Sequence, residues 1–153
     1  LMENMIYNEL IRRGYSVDVG IVEVTRVIDG KRKQSQYEID FVVNVGNNKV
    51  YIQSALNVDT PEKKAQETFS LRNTGDFFRK IVVLDGNRKL WTDEDGVIYV
   101  GVIPFLLEDI IVDIAKWNNK CFNGIASFAD YMRNTESMIL QEYMNKWTEY
   151  IKK

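Results

Sequence analysis

The sequence predicts an α/β sandwich built on one mixed sheet. Three observations carry that expectation. Apolar residues at helical spacing open the chain, a Val-, Ile- and Thr-rich stretch with two tight-turn signals follows, and helix starts then alternate with short apolar strands. The element order is helix, three-strand antiparallel meander, helix, strand, strand, helix, with a C-terminal helical extension.

Each element has a local reason. In "LMENMIYNELIRRG", Met5, Ile6, Leu10 and Ile11 recur at helical spacing after Met2, and Gly14 is a C-cap candidate, so a helix is expected over 2–13. Leu1 stands ahead of Met2 with no polar N-cap, which reads as a segment cut from a longer protein whose missing part lies upstream. Residues 15–28 read as a strand, Asp29-Gly30 as a two-residue hairpin turn, and the next strand runs to about residue 45. Asn47-Asn48 is a candidate type I′ turn, because Asn tolerates the left-handed conformation, and a third strand is expected over 49–57.

"DTPEKKAQETFSLRN" opens a helix, with Thr60 as cap, Pro61 in the first position and Glu62 in the first turn. "RKIVVLDG" and "GVIYVGVI" are short strands, the second preceded by the acidic turn Asp93-Glu94-Asp95-Gly96. Pro104 is expected to start a helix through about residue 115. A loop around Asn118, Asn119, Asn123 and Gly124 leads to closing helices at about 125–133 and 136–152. The expected division is a folded unit over 1–111 and a helical extension over 112–153 packed on it.

Composition excludes several chemistries. With 153 residues, 45% apolar and 27% charged, the chain is long enough to bury a core. No apolar run approaches the ~20 residues of a membrane span, and no signal peptide is visible. Cys121 is alone, so no disulfide framework exists and a cytoplasmic setting is expected. Histidine is absent, which removes Ser-His-Asp and Cys-His catalysis and the His-containing zinc sites. A net charge of -2 argues against a strong non-specific grip on nucleic acid, although Lys31-Arg32-Lys33 forms a local basic cluster.

Asp40 is the anomaly. It interrupts the strand "YEIDFVVNV", and a bare carboxylate in an apolar run costs several kcal/mol unless compensated. An Asn47-Asn48 loop would set Val42 opposite Gln53 and Asp40 opposite Ala55. Glu38, Asp40, Gln53 and Ala55 would then share one side of the sheet. Asp40 and Gln53 would be diagonal neighbours, roughly 7–8 Å apart at the backbone and able to hold one cation between them.

An acidic residue on one strand, followed on its hairpin partner by (Asp/Glu)-x-Lys, resembles the core of the PD-(D/E)XK, restriction-endonuclease-like fold. That fold's order of helix, three antiparallel strands, helix and strand is similar to the one read above. The resemblance implies metal ligands at Glu3, Asp40 and Gln53 for Mg²⁺ or Mn²⁺, with Ala55 standing where the catalytic lysine would be. Gln66 and Lys63 are the implied auxiliary residues on the following helix.

Three ordered blocks, "LMENMIYNELIRRGYSVDVG", "EIDFVVNVGNNKVYIQSALNVDTPEKKAQE" and "VIPFLLED", resemble the C-terminal uncharacterised domain of bacterial and archaeal AAA-type ATPases, over residues 1 to about 109. The resemblance implies a P-loop ATPase domain upstream as partner. This chain holds no "GxxxxGK(S/T)", so no ATP site of that kind is expected within it.

The departures decide the functional expectation. Gln53 donates a neutral oxygen that does not offset a cation's charge, and Ala55 supplies no ammonium to position water or stabilise the transition state. Lys49 shares the strand face but lies about 13 Å from Gln53, whereas Lys63, Lys64 and Arg72 sit on the following helix. The first expectation is therefore a degenerate, non-catalytic accessory domain of an ATP-binding protein, contacting nucleic acid. The alternatives are a Mg²⁺- or Mn²⁺-dependent DNA or RNA phosphodiesterase, and an interaction module.

The stripe Ile139, Tyr143, Trp147 and Ile151 of the tail reads first as packing on the domain; the interaction reading makes it an interface, either of a homodimer or with the upstream ATPase. Structural readings stand beside these. Glu3 could serve its helix dipole, Asp40 could pair with Arg12, Arg13 or a backbone amide, and Gln53 could be inert. Glu9 reads as an exposed helix residue, and Lys31-Arg32-Lys33 as a solvated turn.

Overall fold

The computed structural model describes residues 1–108. Helix α1 (Met2–Arg12) buries Ile6 and Leu10 and leaves its other faces to solvent. Eleven residues are marginal for an isolated helix, so this packing holds it, at about 1.5–3 kcal/mol for each fully buried aliphatic side chain.

Its last turn is clamped. Arg12 Nε donates to Glu9 Oε2 at 2.8 Å and Arg13 Nε to Glu9 Oε1 at 2.7 Å. The expectation that Glu9 is exposed is corrected: its side chain is only 11% exposed, because two arginines three and four residues on cover it. The Arg12 hydrogen bond is the main cause that brings the Glu9 carboxyl down to about 2. Burial opposes it and Arg13 adds to it.

Strands β1 (Ser16–Ile28) and β2 (Lys31–Val45) pair antiparallel across Asp29-Gly30. Both turn residues have positive φ, 51° and 73°, as a type I′ turn requires. The second hairpin differs from expectation. Strand β3 (Asn48–Ala55) begins one residue early, Val45 pairs with Asn48, and the loop is Gly46-Asn47. Gly46 takes φ 59° at no steric cost, the type II′ arrangement with Gly first, whereas the expected turn would have strained an Asn.

Helix α2 (Pro61–Glu67) starts as expected, with Thr60 Oγ1 accepting from the Lys63 amide at 3.2 Å. The single expected helix breaks at Thr68, and α3 (Phe69–Arg72) follows. Thr68 is fully buried; its hydroxyl donates to the Lys64 carbonyl at 2.8 Å and accepts from Arg72 Nε at 2.9 Å. A hydroxyl turned back on the preceding turn bends helices.

Strand β4 (Arg79–Leu84) runs parallel to β3, and β6 (Ile98–Gly101) runs parallel to β4. A two-residue strand β5 (Trp91–Thr92), absent from the sequence reading, pairs antiparallel with β6. The six-stranded mixed sheet has the order β1-β2-β3-β4-β6-β5.

Helix α4 (Val102–Leu107) begins two residues before Pro104, since the first-turn positions of a helix need no amide donor. It ends at Leu107 with Glu108 extended, and the rest of the helix expected from Pro104 to about residue 115 lies outside the described residues. Arg13 donates to the Phe105 carbonyl at 2.8 Å and joins α1 to this helix. Residues 109–153, including the expected closing helices and the 112–153 extension, lie outside the described residues. Among the described residues no helix is long and apolar enough to cross a membrane.

The sheet is buried on both faces. Phe41, Val43, Ile52, Ile81 and Val83 pack with Ile6, Leu10 and Phe105 on one side. Ile39, Ala55, Val82 and Leu84 pack with Leu71 and Tyr99 on the other. Before residue 41 the β2 strand has no β3 partner, so residues 31–40 of β2 pair with β1 alone as a two-stranded arm.

Two predictions follow from the packing and the clamp. At Gly101 an added Cβ would lie within 2.5 Å of the Gly86 carbonyl and closer still to the Arg88 amide. Gly101→Ala should therefore lower the unfolding free energy by about 2 kcal/mol in urea denaturation. The Glu9 carboxyl sits below its ordinary 4.5, so the clamp stabilises fully above that value and is lost as pH falls through about 2. Unfolding free energy measured at stepped pH should drop over that window, and Glu9→Gln should flatten the drop.

Candidate functional site

The β2–β3 ladder ends at Phe41 opposite Ile52, yet β3 continues to Ala55 beside β4. Past the split, β3 amides that point toward β2 need another acceptor. Asp40 supplies it. Its Oδ2 accepts from the Ser54 amide at 2.8 Å and the Ser54 hydroxyl at 2.6 Å, and its Oδ1 accepts from Gln53 Nε2 at 3.0 Å. The Gln53 carbonyl oxygen faces the Asp40 amide at 3.4 Å and the Ser70 hydroxyl at 3.5 Å, both long contacts. Both lone pairs of Oδ2 are therefore used, and one of Oδ1.

The structure brings Asp40 and Gln53 into direct contact. The shifted hairpin turn moves the register by two residues, so the pair is bonded across the strands and not set on a diagonal. Ser54 was missed, and its alternation with Gln53 gave no hint, because the strand split is set by tertiary structure. Of the partners considered for Asp40, the backbone amide is the one used. Arg12 and Arg13 serve Glu9 instead.

Glu3 stands apart. It is exposed in the first turn of α1, which packs on the Phe41 and Ile52 face, and no hydrogen bond joins it to Asp40 or Gln53. Gln53 opens to the opposite face, where it borders a groove with Tyr37, Gln66, Phe69 and Ser70. Among the described residues no group of three or more Asp, Glu or Cys lies close enough to hold a metal ion. Ala55, 5% exposed, belongs to the apolar cluster with Leu71 and Leu84.

The cations on the helices face elsewhere. Lys64 Nζ and Arg72 both reach Asp93 Oδ2, at 3.2 and 2.9 Å, and Arg72 also pairs with Asp95. Lys63 lies in the first turn of α2 and bonds neither Asp40 nor Gln53 through its side chain.

Asp93 is a second centre that the sequence reading passed over as part of an acidic turn. Its side chain is 4% exposed. It accepts from the Tyr99 hydroxyl at 2.8 Å and from the Asp95 and Val97 amides at 3.1 and 3.0 Å. Burial pushes its carboxyl up, but the bonds from Tyr99, Val97 and Lys64 outweigh that and hold it below the usual range. The Asp-x-x-Gly spacing, suited to a side chain that bonds its own turn, was the available signal.

Residues 1–106 match the family described as Domain of unknown function (DUF4143). The chain belongs to that family. The DUF4143 match ends where the described helices do, within α4. Over 107 residues the chain is 34% identical to an uncharacterized protein of Haemophilus influenzae; the match covers 70% of this chain. It spans 23% of that relative's length.

Removing the Asp40 carboxylate should leave the Ser54 amide unpaired in a half-buried gap. Asp40→Ala should therefore lower stability by about 1–3 kcal/mol, and Asp40→Asn by less, read as shifts in the urea midpoint. Ala55→Lys should be as damaging as Asp40→Ala, because it drives an ammonium into the Leu71 and Leu84 cluster.

Proposed function

We propose that this DUF4143 domain is a degenerate restriction-endonuclease-like accessory module of an AAA-type ATP-binding protein, which contacts nucleic acid without cleaving it. The observation that carries the reading is the occupation of Asp40 by Ser54 and Gln53. A nuclease of this type needs that carboxylate free to hold a divalent ion, a second charged ligand beside it, and an ammonium near the reacting phosphate. Here the second ligand is an amide whose NH₂ group faces the carboxylate, and the ammonium position is Ala55 in the core. This donor set does not fit Mg²⁺ or Mn²⁺.

The order α1, β1–β2–β3, α2–α3, β4 supports the fold assignment. The AAA-type assignment rests on the sequence blocks. The short share of the Haemophilus relative that is matched fits a domain carried within a longer chain. A cytoplasmic setting accompanies this reading.

The test is cleavage. The chain should release no product from single- or double-stranded DNA or RNA in Mg²⁺ or Mn²⁺, and Asp40→Asn should change nothing. Metal-dependent cleavage that disappears in Asp40→Asn would overturn the proposal in favour of an active phosphodiesterase.

A further inference from the structure

The β1–β2 arm carries a charge pattern that the site does not use. Register places Arg26 opposite Lys33 and Ile28 opposite Lys31, with Val22 opposite Tyr37 at the base. Alternation puts Arg26, Lys31 and Lys33 on one face of the ribbon, the face that continues to Tyr37 and Phe69. Arg26 lies 4.8 Å over the Phe69 ring, whose centroid is 4.6 Å from that of Tyr37. The other face carries Arg32 beside the exposed Val27 near the tip and, toward the base, Glu23, which accepts from Gln34 and Gln36. Cations directly opposite each other, such as Arg26 and Lys33, destabilise a strand pair, so this pattern is not explained by folding.

Duplex DNA is the ligand this shape and charge suit. A two-stranded ribbon fits the major groove of B-form DNA, about 12 Å wide, and cations on both of its faces can meet the phosphates of both groove walls. From Gly20 to the turn the arm extends about 25 Å, enough to cross that groove. Glu38 and Glu67 border the groove beside Gln53, so phosphates are favoured on the arm and disfavoured at Gln53. With Glu23 and Asp29 counted against Arg26, Lys31, Arg32 and Lys33, residues 20–37 carry a net charge of +2 while the whole chain carries -2, so the arm is a local reversal of sign.

We infer that the β1–β2 arm is a duplex-DNA-binding ribbon, with Arg26, Lys31, Arg32 and Lys33 contacting phosphates. This rests on the reading of the domain as a nucleic-acid-contacting module and supplies the surface and the substrate class.

The experiment is fluorescence anisotropy of the 153-residue chain with a labelled 24-base-pair mixed-sequence DNA duplex (about two helical turns), across a salt series. Wild type should bind. Lys31→Ala/Arg32→Ala/Lys33→Ala should weaken binding by about tenfold or more and reduce the magnitude of the log–log salt slope by about 2.7, the value for three lost phosphate contacts. These residues are exposed, so the far-UV circular dichroism of the variant should match wild type. The exposed control Lys49→Ala/Lys89→Ala, outside the arm, should bind as wild type.

Unchanged binding by the triple variant, or an equal loss in the control, overturns the arm while leaving nucleic-acid contact standing. Equal affinity for a duplex RNA of the same length overturns the groove fit, since the A-form major groove is too narrow for a ribbon. No binding to any nucleic acid at low salt overturns both this inference and the reading beneath it.

Discussion

The structure turns on a parting of strands. β2 and β3 share a ladder of five residue pairs, and β3 then goes on with only β4 beside it toward the start of α2. The β3 backbone groups that face away from β4 along that exit must find a partner other than the β2 main chain. Asp40 meets the need with a side chain, its two oxygens spanning the Ser54 amide and hydroxyl and the Gln53 amide. The same carboxylate that looks misplaced in an apolar strand is what lets two strands diverge without leaving a donor stranded.

Charged residues elsewhere do similar structural work. Glu9 gathers Arg12 and Arg13, and Arg13 reaches on to the end of α4. Asp93 gathers Lys64 from α2, Arg72 from α3 and Tyr99 from β6, and Trp91 stacks on Tyr99 at 5.0 Å. One acid therefore pins the helix pair on one sheet face to the far sheet edge, and another joins two helices on the opposite face. Of the cations on the helix pair, Lys64 and Arg72 are held by Asp93 rather than by Asp40.

Much of the architecture was legible in the sequence because it is locally encoded. The spacing of Ile6 and Leu10, the Asp29-Gly30 turn and the Thr60-Pro61 helix start each act within a few residues. The Gly46-Asn47 turn was misread because "VGNNK" offers two adjacent two-residue loops, and glycine takes the positive φ more cheaply than asparagine. The break at Thr68 and the strand β5 depend on contacts distant in sequence, with Arg72 and with β6. Of the site, alternation placed Asp40 and Gln53 on one side of the sheet, but their direct contact was not readable, because it depends on the register set by the turn. Neither was the role of Ser54, because nothing local announces where a ladder stops. The Glu9 clamp was readable in principle from its i, i+3, i+4 spacing.

The sheet order has a further consequence at its margin. β1 is the outermost strand, thirteen residues long, and among the described residues no strand lies on its outer side. A row of unsatisfied main-chain groups of that length invites a stray chain to stitch itself on. Asp18, Glu23 and Arg26 interrupt the apolar run, and the register shift at Val19, where β2 carries the extra residue at 40–41, disturbs the regular pairing beside it. An incoming flat, hydrophobic strand thus meets mismatched charge and an irregular register, and the margin is guarded against runaway sheet growth.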